Sequence, residues 1–365
     1  MHKIYTLSFL CFILLHCQEK KTYYVEDIQN PPYAENILFK TYEDIALPKF
    51  SSLIEKYRLD TIFKGEEDEF TRLLLVRQWL SDVIRINNDG PYRGEGHADK
   101  ILDAALEGDG FHCGHFMIVQ NAILNAFGHV TRCLGAGPGK IDMPDSHHGM
   151  NEVWVNDLNK WVLWDAKYNH HFEKNGLPLS ALEVRDEYLK NKAKDILLMK
   201  GVKRVPVEYD SVFTRSKEGF AQTYAWIEWE KQGNRHSVWP NFNSELYMYE
   251  DDYFKNNTWI WDGKPHWAYN TSFMNPVPDR KAIEWTPNTI ASEVMIKNDS
   301  AFISLKSDTP NLKEYQMKSL SHPAWITTDD TILLILEKDE YFLTFRTLNL
   351  AGLSGPEHHI SIKSR

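Results

Sequence analysis

Three residues have the types and order needed for nucleophilic catalysis: Cys113, His148 and Asp165. Cys113 follows Asp109-Gly110-Phe111-His112 and opens an apolar run of helical period. His148 opens the segment His148-Gly149-Met150-Asn151-Glu152-Val153-Trp154-Val155, and Asp165 closes Trp161-Val162-Leu163-Trp164-Asp165. A cysteine attacks as its thiolate. The positive end of a helix stabilises that anion, and a neighbouring imidazolium stabilises it further. The imidazole in turn has to be held in one orientation, which a carboxylate bonded to its second nitrogen achieves.

The elements around these residues are readable from periodicity. Asp109-Gly110 signals a turn. A helix is expected from Cys113 to about Phe127, with Phe116, Val119, Ile123 and Phe127 as its buried stripe and Gly128 as its terminator. Strands follow at Val130 to Leu134, Gly149 to Val155 and Lys160 to Tyr168, with Asn156-Asp157-Leu158-Asn159 as a hairpin loop. Neighbouring antiparallel strands joined this way bring the start of one opposite the end of the other, and so His148 toward Asp165. Upstream, Phe70, Leu73, Leu74, Trp79, Leu80, Val83 and Ile84 mark an amphipathic helix over Asp68 to Asn87. Residues 88–98 read as a polar loop and Asp103 to Leu106 as a short helical turn. Ser180 with Glu183 three residues on is a capping box, opening a helix to about Lys194.

The same segments resemble the transglutaminase-like superfamily, which shares the papain-like cysteine protease architecture. Its pattern is a Gly-x-x-Cys helix start, a His-x-x-x-Glu-Val strand, and a Trp-Val-x-x-Asp strand followed by a small residue. Here these are Gly110 to Cys113, His148 to Val153, and Trp161 to Asp165 with Ala166. The resemblance covers about residues 68–170. It implies an α+β catalytic core with a helix-start Cys and an antiparallel sheet, and it maps nucleophile, base and orienting acid onto Cys113, His148 and Asp165. His147 is the rival base; the distance to Glu152 favours His148. Two departures bear on substrate choice: Met150 stands where the family usually has an aromatic, and His115-Phe116 where small residues are common. Residues expected to contact substrate are His115, His147, Met150, Trp164 and Tyr168. No cofactor is implied. The family's activities point to acyl transfer at an amide carbonyl, as a peptidase or amidase on peptide or glycoconjugate amides, or as a transglutaminase.

Other chemistries compete for the same residues. His112, Cys113, His115, His147, His148, His170 and His171 are numerous enough to suggest zinc, but His112-Cys113-Gly114-His115 is not a common ligand spacing. No acidic loop has calcium-ligand spacing. Cys133 alternates within a strand and reads as core; a disulfide to Cys113 would block the nucleophile. Two further readings are a carbohydrate-active lyase or hydrolase reusing this fold, and a noncatalytic glycan- or peptide-binding lipoprotein.

The rest of the chain divides by texture. Residues 201–278 are an aromatic-rich stretch, in which Trp226, Trp229, Trp239, Trp259, Trp261 and Trp267 are either core or a stacking platform for sugars or peptide rings. Short alternating segments at Ser292 to Ile296, Ala301 to Leu305, Ile332 to Leu336 and Tyr341 to Arg346 predict a C-terminal β-sandwich over 279–365. Its ending, Leu343 to Arg346, Asn349 to Gly352, Gly355-Pro356 and Ile360 to Ile362, resembles the last hairpin of fibronectin type III or immunoglobulin-like modules.

Met1-His2-Lys3, an apolar run from Ile4 to Leu15, and His16-Cys17 read as an export signal rather than a spanning helix. Leu14-Leu15-His16-Cys17 resembles the lipobox of bacterial lipoproteins, which would lipidate Cys17, although His16 stands where a small residue is usual. The folded part, with the catalytic domain over 22–200, is then expected outside the cytoplasm, in the cell envelope or secreted, with a lipid on Cys17 as its sole membrane contact. The 365 residues carry a formal net charge of −10 with 25% charged and 42% hydrophobic residues. That is globular composition, and its acidity argues against nucleic-acid binding.

Overall fold

The computed structural model describes residues 21–40, 42–93, 96–138, 147–232, 245–256, 260–261, 264–265 and 274–365. The export signal with Cys17, and Trp239, Trp259, Trp267 and the Trp261 side chain, lie outside the described residues. The chain is of the α+β class. A six-stranded sheet runs in the order Met274–Val277, Leu246–Tyr249, Trp226–Glu230, Thr131–Gly137, His148–Val155, Lys160–Trp164. Its pairings are antiparallel except that between Leu246–Tyr249 and Met274–Val277.

The two faces of this sheet follow from period-two alternation. Leu134, Met150, Trp154, Trp161 and Leu163 join one core. Cys133, Val153, Val155, Val162 and Trp164 join another, shared with four helices: α1 (Pro48–Tyr57), α2 (Glu69–Val83), α3 (Ala98–Leu106) and α4 (Cys113–Ala126). Helix α4 is buried well beyond the single stripe predicted, because it packs on the sheet with α1, α2 and α3 around it. Two of its polar residues bond to the sheet side: Gln120 Nε2 donates to Asn151 Oδ1 at 2.7 Å, and Asn121 Nδ2 to Thr131 Oγ1 at 2.9 Å.

Several boundaries differ from the sequence expectation. Helix α3 starts at Ala98, not Asp103; Ala98, Ile101, Leu102 and Ala105 form its buried face, and the small alanines had masked the period. The third strand stops at Trp164 instead of reaching Tyr168. Asp165 Oδ1 accepts from the Tyr168 N–H at 3.1 Å, closing a turn, and the chain reverses through Asn169 (φ 49°) into His170–Lys174. Helix α5 (Ala181–Asn191) opens on the expected capping box and ends at Lys192, whose backbone is left-handed.

Trp226 and Trp229 are sealed in the sheet, 2% and 0% exposed, so these two indoles are packing groups and not part of a surface platform. Downstream, a three-stranded sheet (Ala291–Lys297, Ser300–Lys306, Thr331–Ile335) shares a core with a five-stranded one, through Ile303, Leu305, Phe345, Ile360 and Ile362. The five-stranded sheet takes in Tyr23–Glu26, which pairs with the final strand His358–Ser364, so the two ends of the described chain lie side by side. At the junction with the core, Asn349 Nδ2 donates to the Gly128 carbonyl at 2.7 Å. Gly128 has φ +85°, and a Cβ there would lie 2.6 Å from that of Ala351. Among the described residues no helix is long and apolar enough to cross a membrane.

Candidate active site

The site begins where α4 does. His112 is its N-cap: the ring Nδ1 accepts from the Gly114 N–H at 3.1 Å, leaving Cys113 at the first helical position. The backbone of the His148 strand passes close by; a Cβ built on Gly149 would be 3.6 Å from the Gly114 Cα. The sheet register, continued one residue past Asn151↔Trp164, sets Asp165 opposite Met150 and diagonal to His148 on the same face. His148 Nε2 and Asp165 Oδ2 meet at 2.6 Å, both buried. Asp165 also accepts from the Tyr168 N–H and, at 3.5 Å, from the Tyr224 hydroxyl.

Because Nε2 faces the carboxylate, it carries the proton, and Nδ1 is the nitrogen left for the sulfur. Cys113 is half-buried, and the His148 and His112 imidazoles act on its thiol. Burial pushes this thiol up, but the neighbouring His112, His148 and His147 imidazoles outweigh it and hold it well below its ordinary value. Burial opposes charge on His148 too; the Asp165 charge and hydrogen bond, with the contact to Cys113, raise it to about 9. Asp165, despite burial, is held well below the usual carboxylate range by His148. The directions agree with one another: each favours the charged form of its group.

Tyr168 lies over the imidazole, ring centroids 4.6 Å apart and 30° between planes. Burial, then the Asp165 charge, push its phenol up to about 12. His147 stands apart from Asp165; its Nε2 is 3.6 Å from Glu228 Oε1. Both groups sit over Gly135, where a Cβ would lie 2.6 Å from that carboxylate oxygen. The structure therefore brings Cys113, His148, Asp165 and Tyr168 together, with His147 at the margin.

The expectation that His115, Met150 and Trp164 contact substrate meets a different placement. Met150 points into the core on one face of the sheet and Trp164 into the core on the other. His115 is 1% exposed, enclosed by Tyr92, Phe111 and His112. Alternation and helix packing, not the site, decide where these three point. The residues weighed as zinc ligands form no ligand set. His171 lies between Arg77 and Glu173, His170 packs on Phe220, and no three His, Cys, Asp or Glu among the described residues could hold a metal ion. Cys113 and Cys133 form no disulfide; Cys133 is sealed, its sulfur accepting from Asn151 Nδ2 at 3.5 Å.

Sequence reasoning missed the roles of His112, Tyr224 and Tyr92. His112 had a signal, since the residue before a helix-start cysteine is the N-cap. Tyr224 reaches Asp165 from 59 residues away and had none.

No family model matches this chain, and no curated protein matches it. Among solved structures, a red sea bream transglutaminase is similar over 88% of this chain and 53% of its own, with 13% identity and a TM-score of 0.27. This chain thus spans about half the length of that one.

Proposed function

We propose that the chain is a cysteine acyl-transfer enzyme with a transglutaminase-like core, acting at amide carbonyls as a peptidase or amidase. The observation that carries this reading is the buried 2.6 Å contact between His148 and Asp165, beside a half-buried sulfur at a helix start. In the reaction, the Cys113 thiolate attacks the carbonyl carbon. The backbone N–H of Cys113, unpaired in the first helical turn, is placed to steady the oxyanion. His148 gives its proton to the leaving amine, then takes one from water as the acyl-enzyme is hydrolysed. Asp165 keeps the imidazole in one tautomer and offsets its charge.

Peptide or glycoconjugate amides are the substrates that the motif resemblance favours, and the N-terminal sequence favours action outside the cytoplasm. The carbohydrate-active alternative would draw on a tyrosine or histidine instead of the sulfur. Tyr168, held protonated by burial and by Asp165, is a poor base, which weighs toward sulfur.

The test is to incubate the protein with a library of peptide and glycopeptide amides, quench in acid, and map covalent adducts by mass. An acyl group on the Cys113 peptide, absent in His148→Ala, is expected. Turnover that survives in Cys113→Ala would sink the sulfur mechanism and leave the carbohydrate reading.

A further inference from the structure

We propose that the outward face of the three-stranded sheet Ala291–Lys297, Ser300–Lys306, Thr331–Ile335 rests on a lipid bilayer, a second membrane contact beside the N-terminal one. The inference rests on the export reading of the N-terminal sequence and is independent of the acyl-transfer reading.

A half-buried antiparallel sheet alternates apolar residues inward and polar residues outward. In this sheet Val294, Ile296, Ile303, Ile332 and Leu334 point into the core shared with the five-stranded sheet. The residues between them face out, and at one end of the sheet they are apolar too. The register sets Met295 opposite Phe302 and Phe302 opposite Leu333, a cross-strand row, and Ile335 follows two residues on along the same face. These four side chains are between 43% (Phe302) and 67% (Met295) exposed. On the other side of the row the same face turns polar, with Glu293, Ser304 and Thr331 exposed. The apolar area is therefore contiguous and confined to one end. A scattered exposed Leu needs no explanation, but a contiguous patch of this kind marks an interaction surface.

What covers it follows from where the chain enters. The Tyr23 hydroxyl donates to the Leu336 carbonyl at 3.0 Å, and Lys21 Nζ meets Asp339 Oδ1 at 2.6 Å. Leu336 directly follows Ile335, and its N–H donates to the Asp299 carbonyl at 2.7 Å, in the turn that joins Lys297 to Ser300. The first described residues thus start at the apolar end of the sheet. The sequence before them holds the apolar run Ile4 to Leu15 and then Cys17. An uncleaved run would itself enter a bilayer, and a lipid on Cys17 would sit four residues before Lys21, at most about 14 Å of extended chain. Either arrangement brings the membrane to this end. The opposite end leads to the catalytic core, where Ala34 N–H donates to Thr286 Oγ1 at 2.8 Å and Asn288 Nδ2 to Asn156 Oδ1 at 2.9 Å. The apolar row lies at the far end from that junction.

The chemistry fits a bilayer better than a second copy of the chain. Four side chains fall well short of the roughly 20–30 residues a side that a stable protein interface uses. Exposed charges around the apolar end are mixed, with Lys297 and Lys338 against Asp299 and Glu337, so attraction to anionic headgroups is not the driving term. Burial of Met295, Phe302, Leu333 and Ile335 at the headgroup–acyl boundary is, and it operates on zwitterionic lipid.

The experiment uses the full chain, expressed with its own N-terminal segment and reconstituted into phosphatidylcholine vesicles. The vesicles include a phospholipid with a photoreactive diazirine near the carbonyl end of one acyl chain. After illumination, adducts are mapped by mass. Adducts at Met295, Phe302 and Leu333 are expected at about five times or more the yield at Leu320 and Ile326, exposed apolar residues in and before the edge strand His322–Thr328 of the other sheet. Leu333→Glu, at an outward position, should cut the yield at Phe302 about threefold or more, with melting temperature and Cys113 alkylation unchanged. Adducts confined to residues before Tyr23, or a yield that Leu333→Glu leaves unchanged, would overturn the proposal. So would peroxide oxidation of Met295 that slows as protein density rises without any lipid adduct, which would give the face to a second copy. Amide turnover and Cys113 reactivity are read separately, so the acyl-transfer reading stands or falls on its own test.

Discussion

Two buried carboxylates sit on neighbouring strands, on the same face of the central sheet, and one of them belongs to the candidate site. Glu152 is saturated. It accepts from Arg132 Nε and Nη2 at 2.9 and 2.6 Å, from Trp229 Nε1 at 2.8 Å, and from the Ala181 N–H at the start of α5 at 2.8 Å. Arg132 in turn donates to the Ile283 carbonyl and stacks on Trp161. Every member of that network is enclosed. Asp165 instead bonds to an imidazole that acts on a half-buried sulfur. Burial and charge pairing are common to both. What sets the site apart is a valence left over and a way out to solvent.

The largest effect that follows is on chemistry. Cys113→Ala or His148→Ala should lower amide turnover by about a thousandfold or more, with little change in melting temperature. A substantially reduced melting temperature in Cys113→Ala would mean the sulfur is a packing group like Glu152's neighbours. On the closed side the balance reverses. Arg132→Met takes the guanidinium from Glu152 and leaves it only the Trp229 and Ala181 donors, and should cost roughly 3–5 kcal/mol of stability in denaturant unfolding. Loss of less than about 1 kcal/mol would contradict the description of that network as buried and complete.

The pH dependence of stability sharpens the contrast. Between the unfolded imidazole's 6.5 and the folded value of about 9, unfolded His148 is neutral while folded His148 holds a proton. Alone, that would make stability fall as pH rises, by up to about 1.4 kcal/mol per unit. The Cys113 thiol has the opposite sign: protonated when unfolded in this range, ionised when folded. The folded and unfolded pairs thus each hold one proton, and the two effects cancel. Wild-type stability from this pair should be level from pH 7 to about 8.5, whereas Cys113→Ala should lose stability over the same interval; parallel curves would show that the proton is not shared as described. The smallest effect belongs to the closed network's edge. Ser180→Ala removes the cap of α5, beside the Ala181 N–H that binds Glu152, and should cost about 1 kcal/mol without altering Cys113 alkylation.

Much of the site was legible because its requirements are local. A turn, a helix start and two alternating strands suffice to place Cys113, His148 and Asp165 in order, and the Ser180 capping box reads directly from four residues. What stayed hidden depends on distant parts of the chain. Met150 and Trp164 share strands with the site, yet alternation sends them into opposite cores. His115 lies two residues past the sulfur and is walled in by Tyr92, whose position no local pattern fixes. Tyr23–Glu26 pairs with the last strand across more than three hundred residues of sequence, a pairing that period-two alternation alone cannot assign.

The central claim is that the Cys113 sulfur is an anion at neutral pH. An infrared difference spectrum at pH 7, wild type minus Cys113→Ser, reads this directly in the S–H stretching region, where the other cysteines cancel. No S–H band in the difference is predicted. A positive band of one thiol's intensity would show Cys113 protonated, and the charged thiolate, imidazolium and carboxylate would not coexist.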